Sequence, residues 1–365
     1  SVGWAAAWLF ADRHAQIGWL AALVYLTLGE VSFWYGWLGY VDALFGCFIV
    51  SAILTLWRAL RDEHIVWFIL SLLLISLAFM SKNITAYALY GMAGLILTWR
   101  LKRWHLLISP WFVLPGLAAL FIPWLWQEFV SLKGANTAST TFSDALRNFA
   151  GFSFGQYLWH WISFPAIFLF RALPLSLFLL GLWLMRRQKW RLDATLGSVA
   201  LVLLACFFPF WVSAGGSPRY LVPLYGLVAL LLTGLLLQLD RSRLRQGVML
   251  AGLIVLLKIP YALGVLPYIK DWRPERDVKQ VAQEIMHLTD DAPLLTENDV
   301  STGLAIAAYI DVWRREKPPV TWNLDKSVRA YILAEVETPS LGRLVKSWRL
   351  RGDHVYLYMQ EGRKP

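Results

Sequence analysis

The sequence is poor in charge: only 16% of its 365 residues are Asp, Glu, Lys or Arg. So few charges cannot keep the surface of a chain this long hydrated, which excludes an ordinary soluble globular fold. Cysteine is nearly absent as well, with two in all, Cys47 and Cys206. Both lie inside apolar runs, where a thiol packs as a small hydrophobe, so a disulfide framework is excluded and neither is assigned a role. There is no nucleotide-binding glycine loop, no zinc-ligand cluster and no internal repeat of fixed period. The opening stretch "SVGWAAAWLFADRHAQ" lacks the basic region that precedes the apolar core of a secretory signal.

What is present in abundance is apolar and aromatic. Hydrophobic residues make up 58% of the chain, and the mean hydropathy is +0.52. The 21 Trp and 14 Tyr suit the boundary between membrane and water, where a ring with a polar tip satisfies both phases. The chain therefore reads as a polytopic α-helical membrane protein. Apolar runs over residues 17–33, 41–57, 64–80, 84–99, 106–126, 157–185, 195–212, 220–239 and 247–266 are each near the length that crosses about 30 Å of hydrocarbon, giving about nine transmembrane helices.

Every second loop between these runs is strongly basic: Arg58 and Arg61, then Arg100, Lys102 and Arg103, then "RRQKWR", then "DRSRLR". The positive-inside rule puts those loops in the cytoplasm. Asp42, Lys82, the long loop at 131–156 and Arg219 then fall on the external side. The net charge of +10 fits this division, because from Lys270 onward 15 basic and 15 acidic side chains balance. The excess belongs to the membrane part, where topology explains it, and no nucleic-acid partner is implied.

Two domains follow: a helical membrane domain over 1–269 and a soluble external domain over 270–365. In the second, "KDWRPERDVKQVAQEIMHL" is charged and helix-like. "APLLTEND", "PPVTWN", "RAYILAEVE" and "DHVYLYMQEG" read as strands, with helical stretches near 301–311 and 339–347. The alternation predicts a small α/β domain.

Ionisable groups at the ends of membrane helices are costly enough to be read one by one. Asp42, flanked by aromatics and glycines in "WYGWLGYVDALFGCF", is either an acid that orients a hydroxyl substrate or holds a metal, or a solvated carboxylate favoured by a helix start. Glu30 either shares that site or is a buried carboxyl bonded to a neighbouring helix. Lys82, in the turn of "AFMSKNITAY", either grips a lipid phosphate beside the free amides of the next helix or snorkels to the headgroups. In "GGSPRYLVPLY", two glycines and Pro218 precede Arg219 and Tyr220. That backbone suits the presentation of a guanidinium, which binds phosphate bidentately; the plain alternative is an interfacial anchor. Pro223 sits where the first turn of the next helix tolerates it. His160, among Trp and Tyr, is either a site residue or a satisfied interfacial one. Arg171 and Lys258 lie deeper in apolar runs and mark either a cavity or misplaced span limits.

In this order, "GYVDALFGCFIVSAI", "LAFMSKNITAY", "HWISFPAIFLFRALPLSLFLL" and "SPRYLVPLYGLVALLL" resemble the polyprenyl-phosphate sugar transferases of the GT-C fold. That group includes the aminoarabinose (lipid A) transferases and the protein O-mannosyltransferases. The resemblance covers about residues 1–270, and the tail is similar to the C-terminal domain many members carry. It implies transfer of a sugar from a polyprenyl-phosphate donor to an external lipid, glycan or protein acceptor, in a multi-pass protein of the bacterial inner membrane, with the active site and the C-terminal domain in the periplasm. It makes Asp42 the second external acid, Lys82 the turn lysine near the lipid phosphate, and Arg219 with Tyr220 the basic-aromatic pair before a late span. No nucleotide is implied, and a divalent metal is left open. Asn83 and Ile84 depart from the family's usual Gly-Pro. The family's first helix and the loop bearing its catalytic aspartate have no counterpart in residues 1–40, so the chain is expected to be a C-terminal fragment or a member whose first part is supplied elsewhere. Outside this family, the competing expectations are a transporter or flippase of lipid-linked sugars, which would show repeated halves and broken helices, and a non-catalytic fragment.

Overall fold

The structure, a computed structural model, describes residues 1–10, 16–33, 41–82, 84–131, 154–185, 188–212, 218–265, 278–290, 292–296, 301–314, 320, 329–350 and 353–361. The long loop expected at 131–156 lies almost wholly outside the described residues, as does the strand expected at "PPVTWN" apart from Val320. The chain divides into two compact units, Ser1–Ile259 and Pro260–Pro365.

Among the described residues the regular structure of the first unit is helical: α1 (Val2–Leu9), α2 (Ile17–Thr27), α3 (Gly29–Phe33), α4 (Val41–Asp62), α5 (Ile65–Ser81), α6 (Thr85–Leu101), α7 (Pro110–Ser131), α8 (Phe154–Arg171), α9 (Leu175–Leu184), α10 (Ala194–Val212), α11 (Tyr225–Leu236) and α12 (Arg241–Pro260). Helices satisfy their own backbone polar groups, which hydrocarbon cannot do. Among the described residues four are long and apolar enough to cross a membrane: Val41–Asp62, Ala194–Val212, Pro218–Leu236 and Arg241–Val265. The bent pair α8–α9 is a fifth such segment, while Ile17–Thr27, Ile65–Ser81 and Pro110–Trp126 are shorter apolar helices.

The expected single span 157–185 is two helices, with Tyr157–Arg171 and Leu175–Leu184 meeting at 104°. Pro174 lacks the N–H that would continue the helix, and the lone Arg171 ends α8 just before it. The expected span 17–33 is broken too: Leu28 is extended (φ −61°, ψ 133°) between α2 and α3. The span expected from 220 begins instead as a 3-10 segment, Pro218–Leu224, before α11.

The core centres on α4 and α11, whose buried faces include Phe45, Ile49, Ile53, Leu56, Tyr225 and Leu230. Hydroxyls tie neighbouring helices where apolar contact gives no preference over lipid. Ser71 Oγ of α5 lies 2.5 Å from Tyr90 Oη of α6, and the Tyr87 hydroxyl donates to the Ala119 carbonyl of α7 at 3.0 Å. Gly46 lets α4 approach the 3-10 segment: a Cβ there would sit 3.2 Å from Pro223 Cα.

The second unit holds β1 (Leu294–Thr296), β2 (Ala330–Ala334), β3 (Arg343–Leu350) and β4 (Asp353–Gln360) in one sheet of order β1-β2-β4-β3. The β1–β2 pair is parallel and the other two pairs are antiparallel. Helices α13 (Val278–Thr289) and α14 (Ser301–Trp313) contribute Val281, Ile285, Ile306 and Ile310 to a core shared with Leu333, Val355 and Leu357. The stretch 339–347, expected to be helical, is a short 3-10 turn followed by β3. Pairing decides this: Trp348 stands opposite Val355 on β4, and its indole N–H donates to Glu284 at 2.8 Å.

Candidate functional site

Asp42 occupies the first turn of α4, where the helix dipole favours a carboxylate, and it is 3% exposed. Lys82 caps the far end of the neighbouring helix α5, its backbone N–H reaching the Ala78 and Phe79 carbonyls. A helix end favours a cation as a helix start favours an anion, so two packed helices bring opposite charges together at one place. The Lys82 ammonium donates a hydrogen bond to Asp42 Oδ1, and Arg219 Nε of the 3-10 segment stands 3.4 Å from Asp42 Oδ2. The ammonium also lies 4.7 Å from the centre of the Tyr220 ring and 5.4 Å from that of Phe45.

Four residues singled out in the sequence, Asp42, Lys82, Arg219 and Tyr220, thus meet in one cluster although up to 178 positions separate them along the chain. Burial holds the pKa of Lys82 below the usual lysine value, against the opposing hydrogen bond and charge of Asp42, and the Arg219 charge adds to the lowering. Exposure is graded across the cluster, with side chains 4% exposed at Asp42, 13% at Lys82 and 40% at Arg219. The carboxylate is at the bottom and the guanidinium reaches outward.

Glu30 and His160 have other partners. Glu30 Oε2 accepts from Arg171 Nη1 at 2.8 Å, and both residues are buried. His160 Nε2 lies 3.3 Å from the Phe210 carbonyl and its ring packs on Phe164 at 4.6 Å. Sequence reading missed two things. Phe45 sits three residues after Asp42, the helical spacing that places it on the same face. Arg171 is the mate of Glu30, and its signal was a lone cation three residues before a proline in an apolar run.

A divalent metal does not fit these residues. Among the described residues no three His, Cys, Asp or Glu side chains gather, and both oxygens of Asp42 already face cations. A metal ion there would add like charge to Lys82 and Arg219.

No family model matches the chain. The arrangement of its elements matches the crystal structure of ArnT from Cupriavidus metallidurans bound to undecaprenyl phosphate over 100% of this chain and 82% of that one, with a TM-score of 0.57 and 14% identity. The chain has the ArnT-type GT-C fold. The apo-state structure of the same transferase gives a TM-score of 0.59 at 15% identity, over 98% of this chain and 80% of that one. In sequence, the chain is 29% identical over 278 residues to the undecaprenyl phosphate-alpha-4-amino-4-deoxy-L-arabinose arabinosyl transferase of Pseudomonas aeruginosa (strain UCBPP-PA14), covering 73% of this chain. It spans about half the length of that curated relative, 48%.

Proposed function

We propose that the protein is an integral-membrane glycosyltransferase that takes a sugar from a polyprenyl-phosphate donor and passes it to a lipid, glycan or protein acceptor. The observation that carries this reading is the convergence of Lys82 and Arg219 on the buried carboxylate of Asp42, beside Tyr220. A guanidinium presents two parallel N–H groups to a phosphate, and an ammonium adds a compact point charge. As the bond from the sugar to the phosphate breaks, negative charge grows on the departing polyprenyl phosphate, and cations already in place stabilise it most where water is scarce. Asp42 keeps the two cations in register. The fold shared with a transferase solved with undecaprenyl phosphate supports the donor class. The alternation of basic loops supports an orientation with this cluster on the external side, and the likeness to bacterial transferases supports reading that side as the periplasmic face of an inner membrane.

One observation favours transport of lipid-linked sugars instead: the α8–α9 segment is a broken helix with an ionisable residue at the break. Glu30 pairs with that arginine, so it does not present an open charge to a passing substrate.

The deciding experiment supplies the purified protein in liposomes with a radiolabelled polyprenyl-phosphate sugar and a membrane acceptor extract. Label in the acceptor, lost in Lys82→Met and Arg219→Met, is the expected result. Label that crosses the bilayer still attached to its lipid would replace this reading with the transport one.

A further inference from the structure

The Glu30–Arg171 pair is separate from the Asp42 cluster, yet a short run of contacts joins them. Glu30 sits at the break between α2 and α3, and Arg171 at the bend between α8 and α9. The two breaks are seated backbone on backbone. The Gly29 N–H donates to the Leu173 carbonyl at 2.9 Å, and a Cβ on Gly29 would stand 3.1 Å from the Arg171 oxygen and 3.3 Å from that of Leu173. One turn before Arg171, Phe168 packs on Tyr225 with ring centres 5.0 Å apart, and its carbonyl accepts from the Tyr225 hydroxyl at 3.3 Å. Tyr225 opens α11 directly after the 3-10 segment that carries Arg219 and Tyr220.

We propose that the Glu30–Arg171 pair positions the anion site: by fixing the bend of α8–α9 it sets, through Phe168 and Tyr225, where Arg219 and Tyr220 stand relative to Asp42 and Lys82. Apolar side chains packed at a helix break can slide against each other, whereas an ion pair seated at 2.8 Å in a buried setting has one favoured geometry. A misplacement of about 1 Å is enough to weaken a charged clamp severely. Both residues are positioning residues, and the proposal rests on the reading of the cluster as a phosphate site.

The test measures undecaprenyl phosphate binding and thermal stability together, in detergent, for the whole chain. Glu30→Met with Arg171→Met replaces the pair by apolar groups of similar length, which keeps the interior filled and removes both charges of the pair together. The expected result is a melting temperature near that of the parent, with binding weakened on the order of tenfold or more. Recovery of both stability and binding would overturn the proposal, because the pair would then be packing alone. Tyr225→Phe cuts the path more gently; it is expected to weaken binding about threefold without a matching loss of stability, and unchanged binding would count against the path. If the parent protein does not bind undecaprenyl phosphate, the phosphate reading fails, and a stability cycle of Glu30→Gln with Arg219→Met still tests the coupling. Shifts that do not add support positioning, and additive shifts overturn it.

Discussion

Two charged clusters of the first unit are built to opposite specifications. Glu30 and Arg171 form a buried pair, 0% and 9% exposed at their side chains, at the seam of two helix breaks. Asp42 meets two cations, and exposure rises outward from it to 40% at Arg219. The first arrangement is closed, and its partners are part of the fold. In the second the outermost cation, Arg219, keeps 40% of its side chain exposed. Burial of a charge is thus a poor guide to function by itself; the gradient of exposure and the ratio of cations to carboxylates distinguish the proposed site from the closed pair.

The largest effect is expected from breaking the closed pair on one side. Arg171→Met leaves a buried carboxylate and Glu30→Gln a buried guanidinium, each without its opposite charge, which costs about 3–5 kcal/mol. Thermal melts of the purified variants in detergent will show the loss, and the double substitution to methionine is expected to recover most of it. Equal destabilisation from breaking the open cluster would erase the distinction. Arg219→Met, at the 40% exposed end of the cluster, is expected instead to keep the melting temperature within a few degrees of the parent, and Lys82→Met, which leaves Asp42 facing Arg219 alone, to fall between the two cases; each removes charge-assisted bonds worth about 1.5–3 kcal/mol to a bound phosphate. Titration with undecaprenyl phosphate is expected to show binding weakened by roughly ten- to a hundredfold per substitution. Gly29→Ala sharpens the contrast from the backbone side. Its methyl group must push the Arg171 and Leu173 carbonyls away, at a cost of about 1–3 kcal/mol, measured by the same melts.

Much of the open cluster was legible in the sequence, because each member stands where charge is scarce and the local residues are distinctive: Asp42 at a helix start among aromatics, Lys82 in a tight turn, Arg219 behind two glycines and a proline. What the sequence did not hold was their distances, since Lys82 and Arg219 come from segments whose meeting depends on how α4, α5 and the 3-10 segment pack. The breaks were less legible. An apolar run reads as one span whether it is straight or folded back, and only Pro174 beside Arg171 distinguishes the two cases. In the second unit, the stretch expected as a helix is β3, because Leu344 and Val345 are adjacent apolar residues at a shift of register and interrupt the period of two that Trp348 and Leu350 continue. Its strand character comes from β4 and from the contact of Trp348 with Glu284.

The smallest predicted effect lies in that second unit, where Glu284 offers an exposed counterpart to the buried pairs of the helical unit. Lys346 Nζ stands 2.7 Å from Glu284 Oε2, and the Trp348 indole N–H donates to the same oxygen at 2.8 Å. The Lys346 hydrogen bond, followed by that of Trp348, holds the Glu284 pKa below the usual carboxylate range. Because the folded-state pKa is the lower one, the stabilisation is complete above the unfolded-state pKa and disappears as pH falls through the folded-state value. The window therefore lies on the acid side of about pH 4.3, the ordinary Glu value. The carboxylate is 39% exposed and the lysine 47%, so solvent screens the pair, and its worth is about 0.2–1 kcal/mol. Glu284→Gln is expected to lower stability by that amount at neutral pH and by less at pH 3, read from melts of the whole chain at both pH values. A loss at neutral pH as large as that of Arg171→Met would mean that exposure does not discount an ion pair in this protein, and the contrast between its closed and open clusters would lose its physical basis.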